Sequence, residues 1–152
     1  MTRVPWPATA LGLAGLLPFL YALLLLFSEP GRWPTLGLVP SEPEGGALVL
    51  ERFGAVVLGF MGGCLWGFGS APGRRPTLPV LGAAAAPALI AALALRAEPA
   101  LSCLWLAFGF VVLQTIDVVF QRAGVAPGYW LSLRLPLTAI VIACLLAGAL
   151  YG

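Results

Sequence analysis

Gln114 and Asp117 stand three residues apart in the run LWLAFGFVVLQTIDVVF, where Asp117 is the one acid. Helical residues at i and i+3 share a face, so an amide and a carboxyl leave this apolar segment in the same direction. A carboxylate in such surroundings is costly unless it is paired or wetted. Arg134 opens the next apolar run and is the expected partner, with Arg122 a nearer but more exposed alternative. The default role of an intramembrane acid is an ion or proton pathway. Asp117, however, falls only about four residues, or roughly 6 Å, from the end of its helix. No further acids continue across the run. A structural clamp formed by Gln114, Asp117 and Arg134 is therefore the first reading, and transport the second.

Other chemistries are short of residues. The chain has no His, Lys or Asn, so the commonest metal and haem ligand and the Schiff-base amine are both missing. No nucleophile with an adjacent base is visible, and neither catalytic residues nor a cofactor or metal site is expected. Cys64, Cys103 and Cys144 each lie in an apolar run with no CxxC spacing and read as small hydrophobes. The net charge of +2 gives no case for nucleic acid.

The elements that must carry the cluster follow from composition. Of 152 residues, 61% are hydrophobic and 9% charged, against roughly a quarter charged in a soluble domain. That leaves too little polar material to cover a water-facing surface and indicates an integral membrane protein. Apolar stretches at about 8–27, 47–69, 78–95, 100–120 and 135–151 each approach the roughly 20 residues that cross a bilayer as helix. Backbone polar groups in lipid must be satisfied internally. The expected fold is thus all-α, a single membrane domain over 1–152 with about five transmembrane helices, kinked at Pro18 and Pro87. The first stretch reads as an uncleaved span. The segment 28–46, rich in Pro and acids, reads as a loop.

Arg3, Arg74, Arg75, Arg122 and Arg134 fall at one end of these spans, and Arg32, Arg52 and Arg96 at the other. The bias predicts a cytoplasmic N-terminus and a periplasmic C-terminus. Trp66, Tyr129 and Trp130, with Trp6, are expected as aromatic anchors at the inner interface, and Trp33, Trp105 and Tyr151 at the outer one.

Five of the eleven residues in GFMGGCLWGFG (59–69) are glycine. Ala55, Gly59, Gly63 and Gly67 recur every four residues and form one helical stripe, widened by Gly62. In lipid, close backbone approach takes the place of a hydrophobic drive between helices. The stripe is read first as packing against the small-faced helix LPVLGAAAAPALIAALAL. A homodimer face comes second, and a surface for a bound lipid, quinone or pigment third. On this reading Gly63→Leu should damage the fold more than Leu58→Ala.

FMGGCLWG (60–67), LQTID (113–117) and YWLSLRLPLT (129–138) together resemble an uncharacterised family of small inner-membrane proteins. That family is found in proteobacteria and includes an animal mitochondrial transmembrane protein. The resemblance covers roughly residues 45–150. It implies that Phe60, Gly62, Gly63, Trp66, Gly67, Gln114, Asp117, Leu133, Arg134, Pro136, Leu137 and Thr138 are family positions. Leu65 departs from it, standing where many members carry a polar residue, often His. The pair Tyr129-Trp130 also reverses the family's aromatic order. The family is a domain of unknown function, so the resemblance implies a fold and not an activity. Its distribution is associated with bioenergetic membranes.

The first functional expectation is a non-catalytic accessory or assembly subunit of a bacterial inner-membrane complex, respiratory or photosynthetic. Membrane lipids and other membrane subunits would be its partners. The alternative is a small carrier or lipid- or quinone-binding protein that uses Gln114, Asp117 and Arg134.

Overall fold

A computed structural model of the protein describes residues 3–28, 45–95 and 98–152. Six helical segments account for most of them: α1 Trp6–Ala14, α2 Leu17–Phe27, α3 Gly45–Gly69, α4 Leu78–Ala94, α5 Pro99–Arg122 and α6 Trp130–Tyr151. No strand occurs among the described residues. Trp33, Arg32, Arg96 and most of the 28–46 segment lie outside them.

Proline starts several of these helices. It stands in the first turn of α1, α2, α4 and α5, where its missing N–H costs nothing and its φ suits the helix. Pro18 also explains the break between α1 and α2. Without its N–H, the Ala14 carbonyl loses a helical partner. The chain tightens instead, with Leu16 N–H donating to the Leu13 carbonyl at 3.0 Å. The two segments still form one apolar crossing, Trp6–Phe27. Pro87 behaves differently, because α4 runs through it as one helix.

The four segments Trp6–Phe27, Gly45–Gly69, Pro99–Arg122 and Trp130–Tyr151 have the length and composition to cross a membrane. Helix α4 is apolar but shorter, at 17 residues, which spans about 25 Å. Four of the five expected spans thus have the length to cross, and the remaining one coincides with the shorter apolar α4.

Helix α3 is the hub, packing against α2, α4, α5 and α6, while α5 and α6 form an antiparallel pair. The core is built from fully buried Leu50, Leu58 and Leu65 of α3, Leu106 and Phe110 of α5, and Leu145 of α6. The end of the bundle carrying Arg74, Arg75 and Arg122 is closed by two turns. Gly124, at φ +64°, adopts the left-handed conformation that ends a helix without strain, and Val125 N–H reaches the Phe120 carbonyl at 2.7 Å. The Arg74 guanidinium donates to the Gly124 carbonyl, joining the α3–α4 turn to the α5–α6 turn.

Small residues do bring the helices close, but not the ones the four-residue stripe picks out. Ala55 and Gly62 are buried. A Cβ on Gly62 would lie 2.7 Å from the Ala84 carbonyl oxygen and 3.5 Å from Pro87 Cβ, so α3 meets α4 there backbone to backbone. Gly59, Gly63 and Gly67 would have nothing within 4 Å of an added Cβ, and neither would Gly82 of α4. The expectation that these three glycines pack helices within the chain is therefore corrected. Helix α3 turns its Gly62 edge to α4, and Gly63, about 100° further round the helix, faces outward. The close approaches are made elsewhere by Gly46 against the backbone of α2, Gly109 against Leu58 and Ile90, and Gly148 against Leu50 and Cys103.

Candidate intramembrane polar site

Helix α5 presents Gln114, Asp117 and Gln121 at spacings of three and four, and α6 presents Trp130, Arg134 and Thr138 at spacings of four. Both sets follow one helical face, and the antiparallel packing of α5 on α6 brings the two faces together. Asp117 is 0% exposed, Arg134 5% and Thr138 2%. Asp117 Oδ2 accepts from Arg134 Nε at 3.4 Å. Asp117 Oδ1 accepts from the Trp130 indole N–H at 2.6 Å. The expected Asp117–Arg134 pair thus forms, and the carboxyl gains a second donor in the Trp130 indole.

Trp130 corrects an expectation. Its indole is 9% exposed and belongs to the polar site instead of anchoring an interface. Arg134 lies over its ring, 5.9 Å from the centroid, within cation–π range. Phe68 of α3 meets the same ring edge-on at 4.8 Å. Helix α3 thus joins α5 and α6 in walling the site, through Phe68. Trp66 is exposed and Tyr129 half-buried, as aromatic side chains near a span end should be.

Four buried polar atoms in this region have no hydrogen-bond partner among the described residues: Gln114 Nε2 and Oε1, Arg134 Nη2 and Thr138 Oγ1. Each buried polar group left unpaired costs about 1–3 kcal/mol. Gln114 is one turn from Asp117 and Thr138 one turn from Arg134, both displaced toward the membrane interior by roughly 5–6 Å along their helices. Arg134 Nη2 can only donate, whereas the Gln114 amide and the Thr138 hydroxyl can donate or accept. The charged pair is neutral overall. The unused capacity of these groups is thus weighted toward donors. No group of acids, cysteines and histidines able to hold a metal occurs among the described residues.

Sequence reasoning placed Trp130 at an interface, gave Thr138 only as a family position and did not single out Gln121. Trp130 and Thr138 flank Arg134 at i−4 and i+4, and that spacing was the available signal. Gln121, at i+4 from Asp117, accepts from Leu131 N–H at 2.6 Å and donates to the Gly128 carbonyl at 3.2 Å. It satisfies an otherwise unpaired N–H at the start of α6 and so fixes the helix that carries Trp130 and Arg134. Gln121→Leu removes both bonds and is expected to cost about 1–2 kcal/mol. A lowered thermal midpoint of the purified protein would register this loss, and an unchanged midpoint would mean the turn holds without Gln121.

An apolar helical bundle closed around a buried, charge-paired cluster defines an α-helical, multi-pass membrane protein. The chain belongs to the family described as Protein of unknown function (DUF3429), whose model matches residues 4–150. It is similar to Transmembrane protein 69 of Xenopus tropicalis, with 38% identity over 94 residues that cover 60% of this chain and 33% of that protein. The match spans about a third of that relative's length. No solved structure matches. The resemblance legible in the three sequence blocks is thereby established, and the family match extends it across the first span.

Proposed function

We propose that the protein is a non-catalytic binding protein of the bacterial inner membrane, and that its α3–α5–α6 cluster receives the polar group of a small ligand or lipid. One observation carries this reading. Gln114, Arg134 and Thr138 bury four polar atoms without partners among the described residues at an ion pair whose carboxylate already has two donors. A purely structural clamp needs Asp117, Arg134 and Trp130 but not those unpaired groups. Mass spectrometry of the purified protein under native conditions tests the proposal. A small molecule should accompany the wild type and be lost from the Gln114→Leu/Thr138→Val variant. A wild-type preparation free of any such molecule, or equal retention by the variant, would count against it.

A second reading has its own support. Gly59, Gly63 and Gly67 leave a bare strip on α3 that none of the described residues covers at Cβ distance, as an accessory or assembly subunit would need for a helix of another membrane protein. Stoichiometric co-purification with a membrane complex from mild detergent, abolished by Gly63→Leu, would favour this role.

The proposed orientation has the N-terminus in the cytoplasm and the C-terminus in the periplasm. Arg134 no longer contributes to the charge bias because it is buried against Asp117, so four arginines face three. Reporter fusions after Gly152 are expected to score periplasmic, and a cytoplasmic score would reverse the orientation.

A further inference from the structure

The stretch APGRRPT (71–77), which joins α3 to α4, is built to hold two arginines in place. Pro72 and Gly73 form the centre of a type II turn. Gly73 has φ +83°, and Arg74 N–H donates to the Ala71 carbonyl at 3.1 Å, as proline followed by glycine favours. Pro76 then biases Arg75 toward extended backbone. Arg74 is tied a second time by its guanidinium, which donates to the Gly124 carbonyl of the α5–α6 turn.

Between the two turns lies a cavity of about 190 Å³, lined by Gly69, Arg74, Arg75, Thr77, Val80 and Val125. It is smaller than the roughly 300–1,000 Å³ of a drug-sized site and suits a single compact headgroup. A Cβ on Gly69 would come 2.7 Å from Val80 Cγ1, so a side chain there would crowd the cavity wall. The Thr77 hydroxyl makes no capping bond to α4. Arg75 has no hydrogen bond or ion pair among the described residues.

No described acid offsets this charge. Asp117 is buried against Arg134. Glu51 lies in the second turn of α3 and Glu98 precedes α5, each near the helix end remote from these turns. Two guanidiniums and a free hydroxyl without a carboxylate complement an oxyanion, and the guanidinium fork matches the oxygens of a phosphate. The shortness of α4 sets the depth. Its 17 residues span about 25 Å, against a hydrocarbon core of about 30 Å. A short span keeps its flanking residues at the boundary of the bilayer, so the cavity at the head of α4 stands at the level of lipid phosphates. Leu78, the first residue of α4, is 87% exposed and offers acyl chains an apolar surface beside the cavity. Basic pockets between membrane helices take acidic headgroups in this way.

We infer that Arg74, Arg75 and Thr77 form a binding site for the phosphate of an anionic phospholipid, whose acyl chains lie against α4. The site is outside the α3–α5–α6 cluster and does not depend on it. Native mass spectrometry of the intact protein in neutral detergent tests it, with phosphatidylglycerol, phosphatidylcholine and inorganic phosphate as separate probes. Phosphatidylglycerol should add as one saturable adduct. Phosphatidylcholine, whose ammonium cancels its phosphate charge, should add more weakly, and inorganic phosphate should not displace the lipid. Arg75→Gln removes a side chain with no partner to lose and should leave the thermal midpoint unchanged, yet weaken phosphatidylglycerol about tenfold. Thr77→Val should deepen that loss. Arg122→Gln makes the same charge change at the same end of the bundle but outside the cavity, and should leave binding nearly unchanged.

Equal weakening by Arg122→Gln would replace the site with a diffuse basic surface and overturn the inference. Inorganic phosphate that displaces the lipid at equal concentration would overturn the lipid in favour of a soluble oxyanion. An adduct lost from Gln114→Leu/Thr138→Val but kept by Arg75→Gln would move the lipid to the buried cluster. Absence of any saturable adduct would end the inference while leaving the reading of the cluster untouched.

Discussion

Asp117→Asn is expected to destabilise the protein by about 3 kcal/mol, and Arg134→Gln by a similar amount. The asparagine keeps an oxygen for the Trp130 indole but strands the Arg134 guanidinium, which is buried with Asp117 as its observed ion-pair partner. Arg134→Gln strands the carboxylate in turn, although Trp130 still donates to it. The double variant removes both charges and should recover much of either loss, because no group is left uncompensated. A double-mutant cycle on thermal stability measures this coupling. Strictly additive losses would mean that the 3.4 Å pair contributes nothing. The same cycle read on ligand binding should behave differently. The double variant lacks the Arg134 donor on which the proposed site depends, so stability should return and binding should not. Recovery of both would leave the cluster as a clamp and no more.

Gly62→Leu is expected to damage packing strongly, and Gly63→Leu, at the neighbouring position, to damage it far less. At Gly62 the first added carbon already lies 2.7 Å from the Ala84 carbonyl oxygen, and backbone cannot move aside as a flexible side chain can. Overpacking of a close interface costs about 1–3 kcal/mol and occasionally more, and separation of α3 from α4 would raise it. At Gly63 an added Cβ meets nothing within 4 Å among the described residues, so the isolated protein should keep its melting temperature and yield. Leu58→Ala opens a cavity at a fully buried position and should cost about 2–5 kcal/mol. The order expected from the stripe, with Gly63→Leu worse than Leu58→Ala, is therefore reversed. A Gly63→Leu variant that melts well below wild type as a monomer would restore the earlier reading. A variant that melts normally but no longer co-purifies with another membrane protein would support the accessory role.

Much of this arrangement was open to inspection in the chain itself. The apolar lengths define the crossings because a helix is the structure that satisfies its own backbone in lipid. The break near Pro18 follows from its missing N–H. The pairing of Asp117 with Arg134 follows from two facts of sequence: the acid needs a partner, and the turn between α5 and α6 returns an arginine to the same depth. Helical spacing also put Gln114 and Asp117 on one face. Orientation about each helix axis was another matter. A soluble helix marks its buried side by polarity, but α3 is apolar or small on every side through residues 53–69. Gly62 and Gly63 are then equivalent on paper, and only the position of Ala84 and Pro87 across the α3–α4 seam separates them. Trp130 was misplaced for the same reason. An indole near a span end suits an interface, and what drew it inward was a buried carboxylate acceptor on another helix, a tertiary fact. The unpaired atoms of Gln114, Arg134 and Thr138 are likewise a property of three packed helices, because burial and the lack of a partner do not exist until neighbouring helices have excluded both lipid and each other's donors.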